Sequence, residues 1–493
     1  MSTKDQIEID TQSKGDTQSD TLTPDTRTKW QKFKETIWDG PKPEPEKRLV
    51  TKLDFFLLTW GCYGYFIRHL DQSNFTNAYV SGMKQALNMT GDDYNYALSI
   101  WQAGYVVGII PSQVLMLKIQ PNVWFPVIEI IWAVLTFGTA SAKNLNQVYC
   151  IRFFLGLFES PFYIGALSLF ANFYTEKELA KRACILYSAS NISSMFSGYL
   201  QSAVYENLDG VSGRAGWQWL FIVCGSITLP LALWGLIAIP NTPYKPNCWS
   251  IWLNDENKTV AKGRFVKSRV QFHGFKLSEI KTMLLDWPFY VIVFTYTSYM
   301  IFTNATGYFT LYIQSLERYS ISQINNIPTS AQGVALIGNI ILGWLADYKG
   351  RHLVLQIALI FNAVSCVFLL ITPSEGCVWF GYLISGVSWA YGPIFISWTQ
   401  EFLRRSEFEA KFTLGIAQAS AIANLIWATI VLWSTSSQYP FYRAAYIVSL
   451  ILGVLQIPIT YYVARFVKNQ NRLLDVTEVN EQISAELKDE KEK

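Results

Sequence analysis

Twelve long apolar runs, separated by short polar turns, constrain this chain more than any other feature of it. In order they cover about residues 53–70, 97–118, 123–142, 148–171, 183–204, 217–239, 287–313, 330–347, 352–372, 377–399, 412–434 and 442–465. A helix of about 20 apolar residues crosses a bilayer core of roughly 30 Å. Hydrocarbon offers the backbone no hydrogen-bond partners, so a spanning segment must satisfy its own N–H and C=O groups, as a helix does. The expectation is an all-α membrane protein with twelve transmembrane helices embedded in a lipid bilayer. The fifth and eighth runs are richer in Ser, Gly and Asn, which suits helices that face other helices or a cavity.

Composition narrows the function. Hydrophobic residues make up 51% of the 493 and charged residues only 16%, unlike a large soluble enzyme. A net charge of +3 gives no reason to expect nucleic acid as a partner. The seven cysteines are scattered with no CxxC, and the three histidines form no ligand cluster, so no metal site and no cofactor are expected. No catalytic cluster of nucleophile and base stands out, so the chain is not read as an enzyme.

The polar stretches divide the chain. Residues 1–48 lack apolar periodicity and read as a disordered tail without a cleaved signal. Residues 49–240 hold six runs, 241–286 a polar central loop, 287–467 six more runs, and 468–493 a charged tail. Six plus six suggests an internal two-fold repeat. With both termini in the cytoplasm, 33 Lys and Arg fall inside and five outside, with Arg68 and Arg152 left within the membrane. The plasma membrane is the expected location, because the final Lys491-Glu492-Lys493 shows no organelle-retrieval motif. Asn74-Phe-Thr and Asn88-Met-Thr are glycosylation sequons in the expected first outside loop.

Two charges interrupt the fourth run, IRFFLGLFESPFYI, at Arg152 and Glu159. Seven residues is almost two helical turns, so both side chains share one face, roughly 10 Å apart. A charge at membrane depth costs about 2.5 to 3.5 kcal/mol on insertion scales and usually faces a bundle interior or a watery cavity. One reading is an anion-and-proton site, with Arg152 as the fixed cation that binds the substrate anion and Glu159 as the proton-coupling acid, since a carboxylic acid shielded from water favours its neutral form. The other puts Arg152 at a helix end and pairs Glu159 with another helix. Asp71 and His69, at the end of the first run, are further proton-coupling candidates. Gln102, Asn191, Asn304, Asn339, Trp389 and Tyr391, with Asn424 and Trp427, are polar or aromatic residues in apolar runs and candidates for a substrate cavity. Pro161 should loosen the helix beside Glu159.

Gly343-Trp-Leu-Ala-Asp347-Tyr-Lys349-Gly350-Arg351 joins the eighth and ninth runs and resembles the G-x-x-x-D-x-x-G-R loop of the major facilitator superfamily. Tyr65 to Lys84 (YFIRHLDQSNFTNAYVSGMK), Arg152 to Glu159, Met195-Phe-Ser-Gly198 and Gly216-Trp-Gln-Trp-Leu-Phe221 resemble the fungal allantoate permease branch of its anion:cation symporters. Within that branch the wording is closest to the yeast pantothenate and biotin transporters. The resemblance implies two six-helix halves, alternating access, and a substrate held near the midplane between them. It implies uptake of a small organic anion, pantothenate first, with a proton. Biotin, nicotinate or allantoate are alternatives, as is a non-transporting nutrient sensor. Arg68, Asp347, Gly350 and Arg351 would serve gating, and the carrier would act as a monomer. The chain departs from the family in two places. Gln72 stands where the family usually has Arg, and Gln218 where Trp-Arg-Trp is usual. Arg68, one helical turn before Gln72, is expected to replace the lost cation as partner to Asp71.

Overall fold

Helix covers each of the twelve apolar runs. The computed structural model describes residues 42–268, 284–371, 374–402 and 407–466. Residues 1–41 and 467–493, most of the expected tails, lie outside that set, and helix already begins within residues 42–48. Here α1 (Glu44–Leu53) leads through a π-helical turn, Asp54–Leu58, into α2 (Thr59–Ala78).

The first crossing therefore runs well past residue 70. Asp71 to Asn77 look like a loop by hydropathy, but their polar groups are satisfied inside the bundle. Asn74 is fully buried, donating to Cys224 Sγ and accepting from Ser197 Oγ. Its sequon is therefore closed to modification. Asn88 lies in the turn beyond and is exposed.

The next crossings are α3 (Asp93–Lys118), α4 (Pro121–Ala140), α5 (Leu145–Glu159) with α6 (Pro161–Ala171), α7 (Glu176–Leu208) and α8 (Gly216–Ala238). The break between α5 and α6 falls at Pro161, which has no N–H to donate. In the central loop, α9 (Asp255–Ser268) packs on α1. Its Arg264 is buried and pairs with Glu178 at the start of α7 and with Glu46 of α1. The second set comprises α10 (Trp287–Phe302) with α11 (Phe309–Ser315), α12 (Ile321–Asn326) leading into α13 (Thr329–Lys349), α14 (Arg351–Ile371), α15 (Glu375–Ser385) with α16 (Tyr391–Phe402), α17 (Glu407–Val431) and α18 (Arg443–Phe466).

Seven of the described helices are long and apolar enough to cross a membrane on length and composition alone. The other crossings have physical reasons for failing that test. α10–α11 and α15–α16 are interrupted by 3₁₀ turns, and α2, α3 and α7 carry polar faces turned into the bundle. The outward faces are apolar and exposed, as at Leu233, Ile341 and Ile371, which suits contact with lipid.

Helix pairing repeats. α2 packs on α7 and α3 on α5; in the second half, α10 packs on α17 and α13 on the 3₁₀ turn between α15 and α16. These are the first–fifth and second–fourth pairings and their counterparts. The halves meet along α3 with α17 and α7 with α13. The expectation for the fifth and eighth runs therefore holds. At the turn after α13, Gly350 adopts φ +97° and its N–H bonds the Ala346 carbonyl at 3.0 Å, the tight turn expected of glycine there.

One end of the interface between halves is latched. Asp92, just before α3, accepts hydrogen bonds from Ser434 Oγ (2.9 Å) and from the Ser436 N–H (3.0 Å) and hydroxyl, all beyond α17. Asn95 Nδ2 donates to the Trp433 carbonyl at 2.8 Å. At the same end, Ser202 of α7 donates to Asn326 Oδ1 at 2.8 Å.

Candidate functional site

Glycines bring α3 and α5 backbone to backbone. A Cβ on Gly104 would lie 2.0 Å from the Phe153 carbonyl oxygen, and one on Gly156 would lie 2.0 Å from that of Trp101. Neither position has room for any side chain. Helices in lipid gain their association from such close packing. The approach delivers the Trp101 indole to Glu159, where Nε1 donates to Oε2 at 3.2 Å.

α2 closes the site from the other side with Gln72. Its Nε2 donates to Glu159 Oε2 at 3.0 Å, and its Oε1 accepts from Arg152 Nη2 at 3.3 Å. Only this orientation of the amide satisfies both neighbours, because guanidinium only donates and carboxylate only accepts. Arg152 is 2% and Glu159 0% exposed, so the pair is sealed within the first half. The guanidinium also lies over the Phe75 ring, 4.3 Å from its centre. The shared face expected of Arg152 and Glu159 is present, and it faces α2. Gln72, read in the sequence as a lost cation, is the bridge between them.

Asp71, on the next position of α2, points elsewhere. Its Oδ2 accepts from Trp132 Nε1 and from Thr136 Oγ1, both on α4. Arg68 is not its partner, which corrects the expected ion pair. The Arg68 guanidinium sits among aromatic rings, 4.9 Å from the centre of Tyr105, 5.6 Å from Tyr65 and 6.0 Å from Trp101. Three residues turn a helix by about 300°, which leaves about 60° between the two side chains, and Arg68 reaches the rings of Trp101 and Tyr105 on α3 while Asp71 reaches Trp132 and Thr136 on α4. His69 packs edge-on against Tyr65, and its Nε2 is buried without a hydrogen bond.

The other expected residues are spread along the bundle. Gln102 and Asn191 are buried, each with an unpaired side-chain atom, and both side-chain polar atoms of Asn339 are unpaired. Tyr391 is buried between Tyr299 and Phe395 with its hydroxyl unpaired. Asn304 lies in the 3₁₀ turn after α10 and Trp389 in that before α16; both are partly buried. Asn424 bonds its own helix at Ser420, and Trp427 is 46% exposed and bonds Asn424. Trp427 therefore does not line a closed cavity. Asp347 lies in the last turn of α13, with its side chain outside the described residues, and Arg351 opens α14.

Sequence reasoning missed several participants. Trp101, Trp132 and Thr136 read as ordinary apolar-run residues. Glu129, within α4, is fully buried beside Trp60, with neither carboxylate oxygen in a well-formed hydrogen bond. The signal was present there, a lone acid in an apolar run, as at Glu159.

Paired helices in two repeated sets, closed around buried charges, define a multi-pass membrane transporter. The chain belongs to the Major Facilitator Superfamily, whose family model matches residues 61–423. The vitamin H transporter of Saccharomyces cerevisiae is 30% identical over 87% of this chain and 74% of its own length. The pantothenate transporter liz1 of Schizosaccharomyces pombe is 28% identical over 80% of this chain and 77% of its own. Among solved structures, a D-xylose-proton symporter superposes with a TM-score of 0.65 at 12% identity, covering 83% of this chain and 97% of that one.

Proposed function

We propose that this transporter imports a small organic carboxylate together with a proton, with pantothenate as the first substrate. Both termini would lie in the cytoplasm and the protein in the plasma membrane, so that the end latched at Asp92 faces outward. An inside-negative potential opposes anion entry by about 2.3 kcal/mol per charge per 100 mV. Co-transport of one proton with a monoanion removes that electrical opposition.

The observation that carries the reading is the Arg152–Gln72–Glu159 chain. Glu159 is a sealed acid whose charge is balanced through one neutral amide, with Oε1 free of any hydrogen bond. In this reading Glu159 takes the proton. Arg152 then loses its counter-charge, and the bridge through Gln72 loosens. Gln102, Asn191, Asn304, Asn339, Trp389 and Tyr391 belong to the substrate passage, Asp71 and His69 support the proton path, and Asp347, Gly350 and Arg351 serve gating. The pantothenate and vitamin H transporters among the relatives support a carboxylate vitamin without choosing between them.

The test is uptake of labelled pantothenate by fungal cells that lack their own carrier, with and without this chain, at acid and neutral pH. Acid-stimulated, protonophore-sensitive uptake supports the reading. No uptake of pantothenate or of biotin, nicotinate and allantoate, with the protein at the cell surface, rejects it.

A further inference from the structure

We propose that Arg68, not Arg152, receives the substrate carboxylate, inside a cage of aromatic rings at the junction of the two halves. The inference rests on the carboxylate reading above and names its recognition site.

Four arginines are buried among the described residues; Arg182 and Arg264 are ion-paired with Asp54 and with Glu46 and Glu178, which leaves Arg68 and Arg152, whose surroundings differ. Arg152 is partly engaged: its Nη2 bonds Gln72, Phe75 covers its face and Glu159 lies beyond that amide in the same half, although its Nε, like that of Arg68, has no partner. Arg68 is 92% buried and makes no hydrogen bond and no ion pair among the described residues, and its Nε is orphaned. Tyr65, Trp101 and Tyr105 surround its guanidinium. Aromatic faces stabilise a cation but accept no conventional hydrogen bonds from it. A guanidinium has five donors in a planar fork that matches the two oxygens of a carboxylate. What the cage leaves unmet is what a carboxylate supplies. Glu159 makes no ion pair with Arg68 among the described residues; its hydrogen bonds come from Gln72 and Trp101, so it leaves the fork unoccupied.

The position also suits a carried ligand. Tyr105 belongs to one buried cluster with Ile109 and with Ile422 of α17, in the second half. The Tyr65 ring lies 6.3 Å from that of Tyr187 on α7, whose hydroxyl shares a hydrogen bond with the Tyr299 hydroxyl of α10 at 3.3 Å. A ligand held at Arg68 therefore touches surfaces that must separate during alternating access, whereas one at Arg152 would be enclosed by the first half alone. The rings provide apolar walls, and the Tyr105 hydroxyl and Gln102 Oε1 are buried polar atoms without partners. The ligand class is a monocarboxylate with hydroxyl or amide groups a few bonds from the acid.

The experiment compares pantothenate with pantothenol, in which a primary alcohol replaces the carboxylate. Wild type, Arg68→Gln, Arg68→Lys and Arg152→Gln are each measured for KM and for inhibition by both compounds, at matched surface level. Wild type should prefer the acid at least about tenfold. Arg68→Gln should raise KM for pantothenate about 10- to 100-fold and abolish the preference. Arg68→Lys should keep part of it. Arg152→Gln should lower the maximal rate while retaining the preference. Unchanged KM and preference in Arg68→Gln overturn the proposal. If Arg68→Gln fails to reach the surface, binding of both compounds to purified wild type and Arg68→Lys decides. Equal affinity for acid and alcohol in wild type, or unaltered discrimination in Arg68→Lys, overturns it. Failure of wild type to carry any monocarboxylate rejects the functional reading itself, a result visible without any variant.

Discussion

Gln72 Nε2 donates to Glu159 Oε2 at 3.0 Å, tying the middle of α2 to the last residue of α5. The same amide accepts from Arg152, so one neutral side chain stands between two buried charges. Leucine at this position fills similar volume but leaves Arg152 Nη2 unpaired and Glu159 with only Trp101. An unmet buried hydrogen bond to a charged group costs about 1 to 3 kcal/mol or more. Gln72→Leu should reduce uptake at least about tenfold at equal surface level. Uptake equal to wild type would show that the bridge is dispensable.

Asp71 and Arg68 share no partner, although they lie three residues apart on one helix. Their effects should therefore be nearly additive. A double-mutant cycle with Arg68→Gln and Asp71→Asn, read by thermal stability of the purified protein, should give a coupling within about 0.5 kcal/mol of zero. A coupling of about 2 kcal/mol or more would restore the ion pair that the sequence spacing suggested.

The α3–α5 seam admits no side chain at Gly104, where a Cβ would strike the Phe153 carbonyl, a rigid backbone atom. Gly104→Ala should force the helices apart, cost about 1 to 3 kcal/mol, and withdraw Trp101 from Glu159. Gly415 in α17 has nothing within 4 Å of its Cβ position, so Gly415→Ala should be tolerated. Comparing the melting temperatures of the two purified variants checks this. Equal melting temperatures would contradict the seam.

The latch at Asp92 carries a pH prediction of known sign. Burial works against its charge, but hydrogen bonds from Ser436, Ser434 and Thr435 outweigh that and hold the carboxyl below its usual value of 3.8. A depressed pKa means the stabilisation is complete above the ordinary value and is lost only as pH falls through the lower one. The latch should therefore hold unchanged from pH 7 to pH 5, leaving acid stimulation of uptake to another group. The measurement is labelling of Ser99→Cys by an impermeant maleimide, with the native cysteines replaced and rates corrected for thiolate fraction. Ser99 is buried and donates to the Ile426 carbonyl of α17. Labelling should be slow and flat over that range, and several-fold faster in Asp92→Ala. Equal rates with and without Asp92 would remove its role as a latch.

Hydropathy made the twelve crossings legible because lipid-facing surfaces must be apolar whatever the substrate. It failed at the end of α2, where Asp71, Asn74 and Asn77 are polar yet helical, because their partners come from α4, α7 and α8. The pairing of Arg152 with Glu159 was legible from helical period alone, since both lie on one helix. The roles of Gln72, Trp101 and Trp132 were not, because each depends on which helices become neighbours. Arg68 shows the limit most clearly. Spacing along α2 suggested Asp71, whereas the direction of the side chain gave it to Trp101 and Tyr105 of α3 and to Tyr65 of its own helix.

The most direct test of the coupling role of Glu159 separates exchange from accumulation. Glu159→Gln mimics a permanently protonated acid, so reconstituted protein should still exchange labelled for unlabelled pantothenate across the membrane. It should fail to concentrate pantothenate when an inward proton gradient is imposed. Accumulation equal to wild type under that gradient would contradict the account.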